Sequence, residues 1–456
     1  MARTIEISRE FVDELRESIK ENDEKKALQL LTDFHAADIA ELYRDLSIEE
    51  ARYLYLLLDG DRASDVLAEL DEDDRNRFLD VLPGEVIAQK FIDHMDSDDA
   101  ADVIGDLSED KKQEILLHIE DLEQAGDIVD LLGYDEDTAG GLMAKEMIIV
   151  NENWTILTCL KEMANQADAV DEVYYVYVID NNRKLKGIVS LKQMLLSNNA
   201  TKVQTIIEDD IIWVNTSTPG EEVAQIMEKY DLVAIPVVDS LGRLVGRITI
   251  DDIVDFIREE AERDYQMASG LTDEVEARDK VLYITRVRLP WLLIGLVGGI
   301  FGALVLGRFE GSLKVYPEMA FFIPLIAAMG GNVGIQSSAI IVQGLANNTL
   351  KGESTLKRLS KEFLVALFNG LILATLIFVY NFFVSDSFAL TLTVSVALLS
   401  VIVFAALFGT FIPLILDRVK VDPALATGPF ITTMNDIIGL LIYMLIGRLL
   451  YGVFAI

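Results

Sequence analysis

A single charged side chain interrupts the apolar runs near the end of the sequence. Asp436 is the only Asp, Glu, Lys or Arg within five runs that cover residues 289–307, 319–350, 363–385, 387–416 and 423–447. A charge at the centre of a bilayer costs about 2.5–3.5 kcal/mol on insertion scales, so such residues usually serve a function. The next basic residue along the run, Arg448, lies about three turns further on. We therefore expect Asp436 to meet a cation from solution; a protonated or hydrogen-bonded structural aspartate is the alternative.

The second apolar run contains a glycine-rich segment with several polar side chains. Gly330, Gly331 and Gly334 weaken a helix locally, while Asn332 and Gln336 bring amides to membrane depth. Non-helical backbone is tolerated at that depth only where it is buried in protein or lines a wet cavity. Backbone carbonyls and side-chain amides are ligands suited to a cation or its hydration shell. The segment predicts a bent or broken span that lines an ion pathway; close helix packing through small residues is the alternative.

Carboxylates crowd two places in the first two thirds of the chain. One group lies between residues 96 and 102, and another lies between residues 251 and 264. On a helix, Asp252, Asp255 and Glu259 share one face. Hard divalent cations prefer carboxylate oxygens, and Mg²⁺ often takes one or two of them while keeping its waters. Both groups are candidate cation sites; a solvated helix face and adaptation to salt are the alternatives.

The charge of the chain is divided unevenly along its length. Its 456 residues carry a net charge of −36, with −38 in residues 1–287 and +2 in the remainder. This acidity excludes a nucleic-acid binder, because phosphates require a basic face. Each of the five apolar runs is long enough to cross a bilayer once, which predicts spans at about 289–307, 319–350, 363–385, 387–416 and 423–455. We expect an acidic soluble body followed by a membrane body.

Basic residues at the ends of the runs predict the orientation. They cluster before the first span, between the second and third, and between the fourth and fifth, as at Arg288, Lys357 and Lys420. The positive-inside rule then places the N-terminal body in the cytoplasm and the C-terminus outside, in a bacterial-type plasma membrane. The chain starts without the apolar stretch of a cleavable signal peptide, and its only cysteine, Cys159, excludes an intrachain disulfide. The sequence contains neither a phosphate-binding loop nor a nucleophile–base pair, so we expect no enzyme.

The acidic body divides into a helical part and a repeat of strands and helices. Residues 1–136 carry apolar residues at spacings of three and four, which predicts an all-α superhelical domain. Residues 137–262 contain a β–α pattern that repeats with an offset of 59 residues, as in Leu185-Lys-Gly187 and Leu244-Val-Gly246. This pattern resembles a pair of CBS domains, an α/β fold found in regulatory modules that sense nucleotides or ions.

The CBS resemblance implies a nucleotide site in the second repeat. In that family a Gly-x-x-Ser/Thr-x-x-Asp signature contacts adenosine nucleotides, and Gly246, Thr249 and Asp252 match it. In the first repeat, Gln193 replaces the aspartate. ATP is therefore an expected regulatory ligand; closure of the strand–helix turn is the alternative role of the signature.

The whole chain resembles the MgtE family of magnesium channels in length and in domain order. Two motifs carry the resemblance, Pro324…Gly330-Gly-Asn-Val-Gly-Ile-Gln336 and Asp422-Pro-Ala-Leu…Pro429…Asp436. The resemblance implies a helical N domain at 1–136, CBS domains at 137–200 and 201–262, a connecting (plug) helix at 263–286 and a five-span pore domain at 287–456. It also implies a homodimer whose pore lies on the two-fold axis and is lined by the second and fifth spans, where Asp436 from each subunit faces a hydrated Mg²⁺.

The same resemblance assigns roles to individual residues. Cytoplasmic Mg²⁺ would bridge the N and CBS domains and hold the channel closed. The implied regulatory ligands are Asp65, Asp98, Asp102, Glu221, Asp231, Asp252, Asp255, Glu260 and Asp422, and the implied pore residues are Asp436, Asn332, Gly331 and Thr432. Two other functions stay open: a divalent-cation transporter coupled to protons or sodium, and a non-conducting membrane sensor that signals through its CBS domains.

Overall fold

The structure is a computed structural model that describes residues 7–166, 170, 173–272, 275, 280–346, 349–350, 354–426 and 428–454. The chain forms two compact units, which divide between Ile257 and Arg258. The first unit contains short helices followed by two small sheets, and the second contains long apolar helices.

Ten short helices precede the sheets. They are Arg9–Lys20 (α1), Glu24–Leu30 (α2), Ala36–Glu41 (α3), Ile48–Leu57 (α4), Gly60–Ala68 (α5), Glu72–Leu79 (α6), Gly84–Lys90 (α7), Ser97–Gly105 (α8), Glu109–Leu116 (α9) and Leu122–Leu131 (α10). Capping explains the sharp boundaries of α4, because Ser47 accepts from the backbone of Glu50 while Glu50 accepts from the backbone of Ser47. The prediction of an all-α N-terminal part is confirmed.

A short motif recurs along the helical domain, as Ala36-Ala-Asp-Ile39, Ala63-Ser-Asp-Val66 and Ala100-Ala-Asp-Val103, and the helices bury its apolar side. Ile39, Val66 and Val103, on α3, α5 and α8, are completely buried. Phe78 and Phe91 add an aromatic centre, with ring centroids 5.8 Å apart in an edge-to-face arrangement. Each short helix therefore depends on its neighbours for burial, as in stacked helical repeats.

Two three-stranded sheets follow, each with one parallel and one antiparallel pair. The first repeat consists of Ile148–Asn151 (β1), Ile156–Gln166 (α11), Val176–Ile179 (β2), Leu185–Val189 (β3) and Leu191–Leu196 (α12), and its three strands form the first sheet. The second repeat consists of Val214–Asn215 (β4), Gly220–Tyr230 (α13), Ala234–Val238 (β5), Leu244–Thr249 (β6) and Ile250–Ala268 (α14), and its three strands form the second sheet.

The pairing register confirms the tandem repeat. Val178 pairs with Gly187 in the first sheet, and Val237 pairs with Gly246 in the second, which keeps the 59-residue offset on both strands. The register shifts after each of these pairs, with one extra residue on the second strand, Lys186 in the first sheet and Val245 in the second. Cys159 lies in the core of the first sheet and is completely buried.

The second unit is built on long apolar helices. Its helices are Val281–Arg308 (α15), Glu310–Val315 (α16), Ile323–Ala346 (α17), Thr355–Val384 (α18), Phe388–Arg418 (α19) and Pro429–Phe454 (α20). Within the described part of the chain, five segments are long and apolar enough to cross a membrane, and α17 together with the preceding turn at 317–322 counts as one of them. Half of the residues in an 18-residue apolar stretch of α19 are buried, whereas only 11% of those in the corresponding stretches of α15 and α18 are buried. The fourth span is therefore the central element of this unit.

The expectation of a broken second span is wrong. A 3₁₀ turn at Pro317–Phe322 precedes α17, which then continues through all three glycines to Ala346. The helix persists because its glycines face the neighbouring helices α19 and α20, so tertiary packing overrides their low helix propensity. Residues 347–348 of the predicted second span, and residue 455 of the predicted last span, lie outside the described residues.

The connecting segment also differs from the single helix expected at 263–286. α14 begins in the second repeat and ends at Ala268, and Gly270 then adopts a left-handed conformation with φ of +82°. Residues 281–286 already belong to α15, the first span. Residues 273, 274 and 276–279 lie outside the described part of the chain. The left-handed glycine ends the helix in the usual way.

Candidate ion pathway and acidic cluster

The contact between α17 and α20 brings three of the four predicted pore residues together. A Cβ atom added to Gly331 would lie 3.5 Å from Cγ2 of Thr432 and 3.8 Å from Oδ1 of Asp436. Thr432 and Asp436 are four residues apart on α20, so they share a face. Because Gly331 has no side chain, the half-buried Asp436 carboxylate lies beside bare backbone of α17.

The fourth predicted pore residue lies outside this contact. Asn332 is exposed and lies about 100° further around α17 than Gly331. Thr432 is also held locally, since its hydroxyl donates to the carbonyl of Pro429 at 3.0 Å. Within one chain the structure therefore groups Asp436, Thr432 and Gly331, and it leaves Asn332 on an open surface of α17.

A cavity of about 630 Å³ opens beside Thr432 in the same unit. Its wall includes Gly270, Arg288, Trp291, Pro429 and Thr433. Gly270 packs so closely on α20 that an added Cβ would lie 2.7 Å from Cγ of Pro429. The turn after α14 therefore contacts the start of the helix that carries Asp436.

A second carboxylate in this unit was missed by the sequence analysis. Ser337 on α17, 4% exposed, donates its hydroxyl to Oε1 of Glu362 on α18 at 2.6 Å. Glu362 immediately precedes the apolar run that begins at Phe363, so it looked like part of a polar connection. The signal that could have revealed it is Ser354, whose side chain caps α18 two turns earlier and extends the helix over Glu362.

In the first unit, carboxylates of the helical domain meet those of the CBS repeats. Oxygen atoms of Asp96, Asp98 and Glu146 lie within 4.8 Å of one another. Glu146 is held in place by Ser97, whose backbone N–H and hydroxyl donate to it at 3.2 and 2.8 Å. Asp98 was predicted as a cation ligand, whereas Glu146, just before β1, was not.

The charges in this acidic cluster raise each other's pKa values. Burial raises the pKa of Asp98 well above its ordinary value, and the charge of Asp252 adds to the effect. Loss of solvation and the Asp252 charge raise the pKa of Asp99 to about 6. Loss of solvation and the Asp99 charge raise the pKa of Asp102 to about 7, although Arg75 opposes this. A proton or a metal cation would relieve the repulsion.

Asp252 itself is half-buried at the start of α14 and is partly stabilised as an anion. Burial raises the pKa of its carboxyl, while hydrogen bonds from the backbone N–H and hydroxyl of Thr249, at 2.8 and 2.7 Å, act in the opposite direction. Asp255, one turn further along α14, contributes to the field that raises the pKa of Asp99. The charge of Asp252 thus acts on Asp98 and Asp99, and the charge of Asp99 in turn acts on Asp102.

The other predicted regulatory residues lie on α5, α13 and α14 and in the turn before α20. Asp65 is exposed on α5. Glu221 lies in the first turn of α13 and Asp231 at its C-cap, so they are about 15 Å apart along the helix axis. In the second unit, Glu260 pairs with Arg263 at 2.5 Å, and Asp422 accepts from the backbone N–H of Ala424 at 2.7 Å.

The predicted nucleotide signature forms a strand–helix turn. Thr249 ends β6, and its bonds to Asp252 close the turn into α14. Gly246 passes close to the chain before β1, because an added Cβ would lie 2.8 Å from the carbonyl oxygen of Ala144. The turn-closing role of the signature is therefore present, and a nucleotide contact stays a prediction.

Comparisons with known proteins agree with this architecture. Residues 34–137 match the MgtE intracellular N domain, residues 139–197 and 203–259 match the CBS domain, and residues 323–446 match the MgtE profile described as a divalent cation transporter. A crystal structure of the cytosolic domain of the Mg²⁺ channel MgtE in complex with ATP is 31% identical, with a TM-score of 0.51, and covers 54% of this chain and 99% of that one.

Full-length relatives extend the similarity over the membrane part. The magnesium transporter MgtE of Thermus thermophilus is 33% identical over 442 residues, which is 96% of this chain and 97% of the relative. The magnesium transporter MgtE of Enterococcus faecalis is 32% identical over 443 residues, or 97% of each chain. The predicted resemblance is confirmed, and the chain belongs to the MgtE family.

Proposed function

We propose that this protein is a Mg²⁺-selective channel for magnesium uptake, assembled as a homodimer with its pore between α17 and α20 of the two copies. The observation that carries the proposal is the Asp436 carboxylate, which lies on an apolar helix beside the bare backbone of Gly331. Two symmetry-related carboxylates would give the pore a local charge of −2. Full-length relatives named magnesium transporters support the choice of ion.

The chemistry of Mg²⁺ indicates how such a pore would select it. Mg²⁺ gives up its waters reluctantly, so the ion passes with much of its hydration shell. The waters would donate hydrogen bonds to Asp436 and to oxygen atoms near Thr432 and Asn332. Monovalent cations bind a −2 site more weakly, because attraction scales with the charge of the ion.

Replacing Asp436 tests this proposal. We expect Asp436→Ala to abolish Mg²⁺ entry into liposomes loaded with a fluorescent Mg²⁺ indicator, while the protein still elutes as a folded dimer. Asp386→Ala is the matched control, since Asp386 is an exposed aspartate between α18 and α19. Wild-type flux in the Asp436 variant would refute the pore assignment, and no flux in the wild type would favour the sensor function.

The acidic cluster supports a second part of the proposal, in which cytoplasmic Mg²⁺ closes the channel. Mg²⁺ bound near Asp98, Glu146 and Asp252 would remove the repulsion between α8 and the second CBS repeat and so favour their contact. A ligand shifts a conformational equilibrium only by its differential affinity for the two states. A shift from 1:99 to 99:1 needs about 5.5 kcal/mol, which several weak sites can supply together.

The proposal also includes the orientation of the protein in the membrane and ATP as a ligand. The basic ends of the spans support cytoplasmic N-terminal domains and an outside C-terminus in the plasma membrane. The solved ATP complex of a relative's cytosolic domain supports ATP as a regulatory ligand near Gly246, Thr249 and Asp252. Mg²⁺ current recorded without a proton or sodium gradient distinguishes the channel from a coupled transporter.

A further inference from the structure

Asn435, the residue before Asp436, is the most unusual polar side chain in the second unit. It lies in the second turn of α20, and its side chain is completely buried. Neither its amide nitrogen nor its amide oxygen has a hydrogen-bond partner among the residues that the structure describes. A buried polar group without a partner is destabilising, and most such groups are satisfied by protein or by ordered water. This amide therefore requires an explanation.

The surroundings of Asn435 show where its amide points. The side chain lies against Gly334 of α17, where an added Cβ would collide with Nδ2. Its backbone oxygen lies 3.6 Å from the position of an added Cβ on Gly330. Gly330 and Gly334 are one turn apart, so together they form a notch in α17 that receives Asn435.

The notch fixes the direction of the next residue. Asn435 and Asp436 project about 100° apart around α20. With Asn435 held over Gly330 and Gly334, Asp436 is directed toward Gly331, where its Oδ1 is found. A rotation of α20 that withdrew Asn435 from the notch would also turn the Asp436 carboxylate away from Gly331.

Two more buried hydroxyls without a partner belong to residues close in sequence to this contact. Gly409 of α19 contacts the carbonyl of Gly334, which makes Gly334 the meeting point of α17, α19 and α20. The next residue, Thr410, and Ser338, one turn beyond Gly334, are both completely buried. Their hydroxyls also have no partner within the described ranges. Each of the three helices that meet at Gly334 thus carries a buried polar group without a partner among the described residues.

We propose that Asn435 holds an ordered water molecule at this meeting point, and that the resulting polar contact between the three helices fixes the rotation of α20 that presents Asp436 to Gly331. Asn435 is then a positioning residue for the ion site. A buried water commonly makes about three hydrogen bonds to otherwise unsatisfied groups, and the Asn435 amide supplies both a donor and an acceptor for such bonds. The inference depends on the proposed channel function.

The test compares Asn435→Ala with Asn435→Ser in the full-length protein. The two variants lose nearly the same volume, but serine keeps a group that can bond to water. In the liposome assay we expect alanine to raise the Mg²⁺ concentration for half-maximal flux about tenfold, and serine to raise it by about threefold or less. A purely structural role would lower the maximal flux and leave the half-saturation concentration unchanged.

Thr393→Val removes another completely buried, orphaned hydroxyl near Gly447, about 16 Å along α20 from Asp436, and should leave half-saturation unchanged. Equal shifts in the alanine and serine variants, or no shift in either, would overturn the inference. Should alanine fail to fold, Asn435→Leu replaces it as the apolar variant of similar size. Absence of Asp436-dependent flux in the wild type would contradict the channel itself, which separates the two failures.

Discussion

At the scale of single residues, the acidic cluster of α8 and α14 makes stability depend on pH. Asp99 and Asp102 have pKa values of about 6 and 7, and those of Asp98 and Asp252 are also raised. In the unfolded chain these groups titrate near 4. Between about pH 4 and 7 the folded state therefore binds more protons than the unfolded state, so the free energy of unfolding decreases as pH rises.

We predict that, without divalent cations, amides of α8 in the full-length protein exchange more slowly with solvent at pH 5 than at pH 7.5, after correction for the intrinsic rate. Added Mg²⁺ should protect α8 more at pH 7.5, because the ion replaces protons that have already left. Asp99→Asn should reduce the pH dependence, and the exposed Asp33→Asn should not. Greater protection of α8 at the higher pH would contradict this prediction.

Residue chemistry was predictable where one position stands out from its surroundings. Asp436 is conspicuous because its run contains no other charge, and Gly331 and Thr432 followed from the family motifs. Glu146 and Glu362 were missed because their partners, Ser97 and Ser337, are 49 and 25 residues away in the sequence. Only the folded chain brings such groups together, so periodicity within one element could not reveal them.

At the scale of elements, the packing of α17 against α19 depends on the absence of side chains at one crossing. Gly409→Ala would place a methyl group on the carbonyl of Gly334. Overpacking of this kind costs about 1–3 kcal/mol. We predict a clear fall in the midpoint of thermal unfolding in detergent, measured by size-exclusion chromatography after heating.

The matched substitution is Gly299→Ala on the outer face of α15. Gly299 is exposed, and no atom of the described residues lies within 4 Å of its added Cβ. Its midpoint should stay the same or rise slightly, because alanine meets no neighbouring atom there and has the higher helix propensity. Similar midpoints for the two variants would show that the α17–α19 crossing tolerates a side chain.

Elements were predicted most reliably where a repeat fixed them. The 59-residue offset gave both CBS sheets, and their register and bulges agree with it. The broken second span was wrong because glycine propensity is a local quantity, whereas the packing of α17 on two neighbours is not. The glycine at position 270 is a sequence signal for the end of the connecting helix. Why the helix ends at this glycine is explained only by its close contact with Pro429.

At the scale of the whole molecule, residues 1–287 carry a net charge of −38. Removing carboxylate charges by mutation should therefore stabilise this part of the chain in the same way as bound Mg²⁺. We predict that Asp98→Asn combined with Asp252→Asn makes the Mg²⁺-free protein about fivefold more resistant to trypsin, corresponding to about 1 kcal/mol of relieved repulsion. An asparagine at position 252 can still accept the hydrogen bonds from Thr249. Mg²⁺ should then add little further protection.

The control for this prediction is a change of equal charge outside the acidic cluster. Asp33→Asn combined with Asp13→Asn alters two exposed aspartates of the helical domain. This pair should leave both the basal cleavage rate and the effect of Mg²⁺ unchanged. Resistance equal to that of the Asp98 and Asp252 pair would mean that total charge, and not a local site, governs the response.

The position of the only cysteine makes the natural chain a ready background for site-directed spectroscopy. Cys159 is sealed in the first CBS core, and burial raises the pKa of its thiol to about 11, so very little reactive thiolate forms near neutral pH. Maleimide dyes or spin labels would therefore attach only to cysteines introduced at chosen surface positions. Distances between labelled helices could then be followed as the magnesium concentration is varied, without first removing a native thiol.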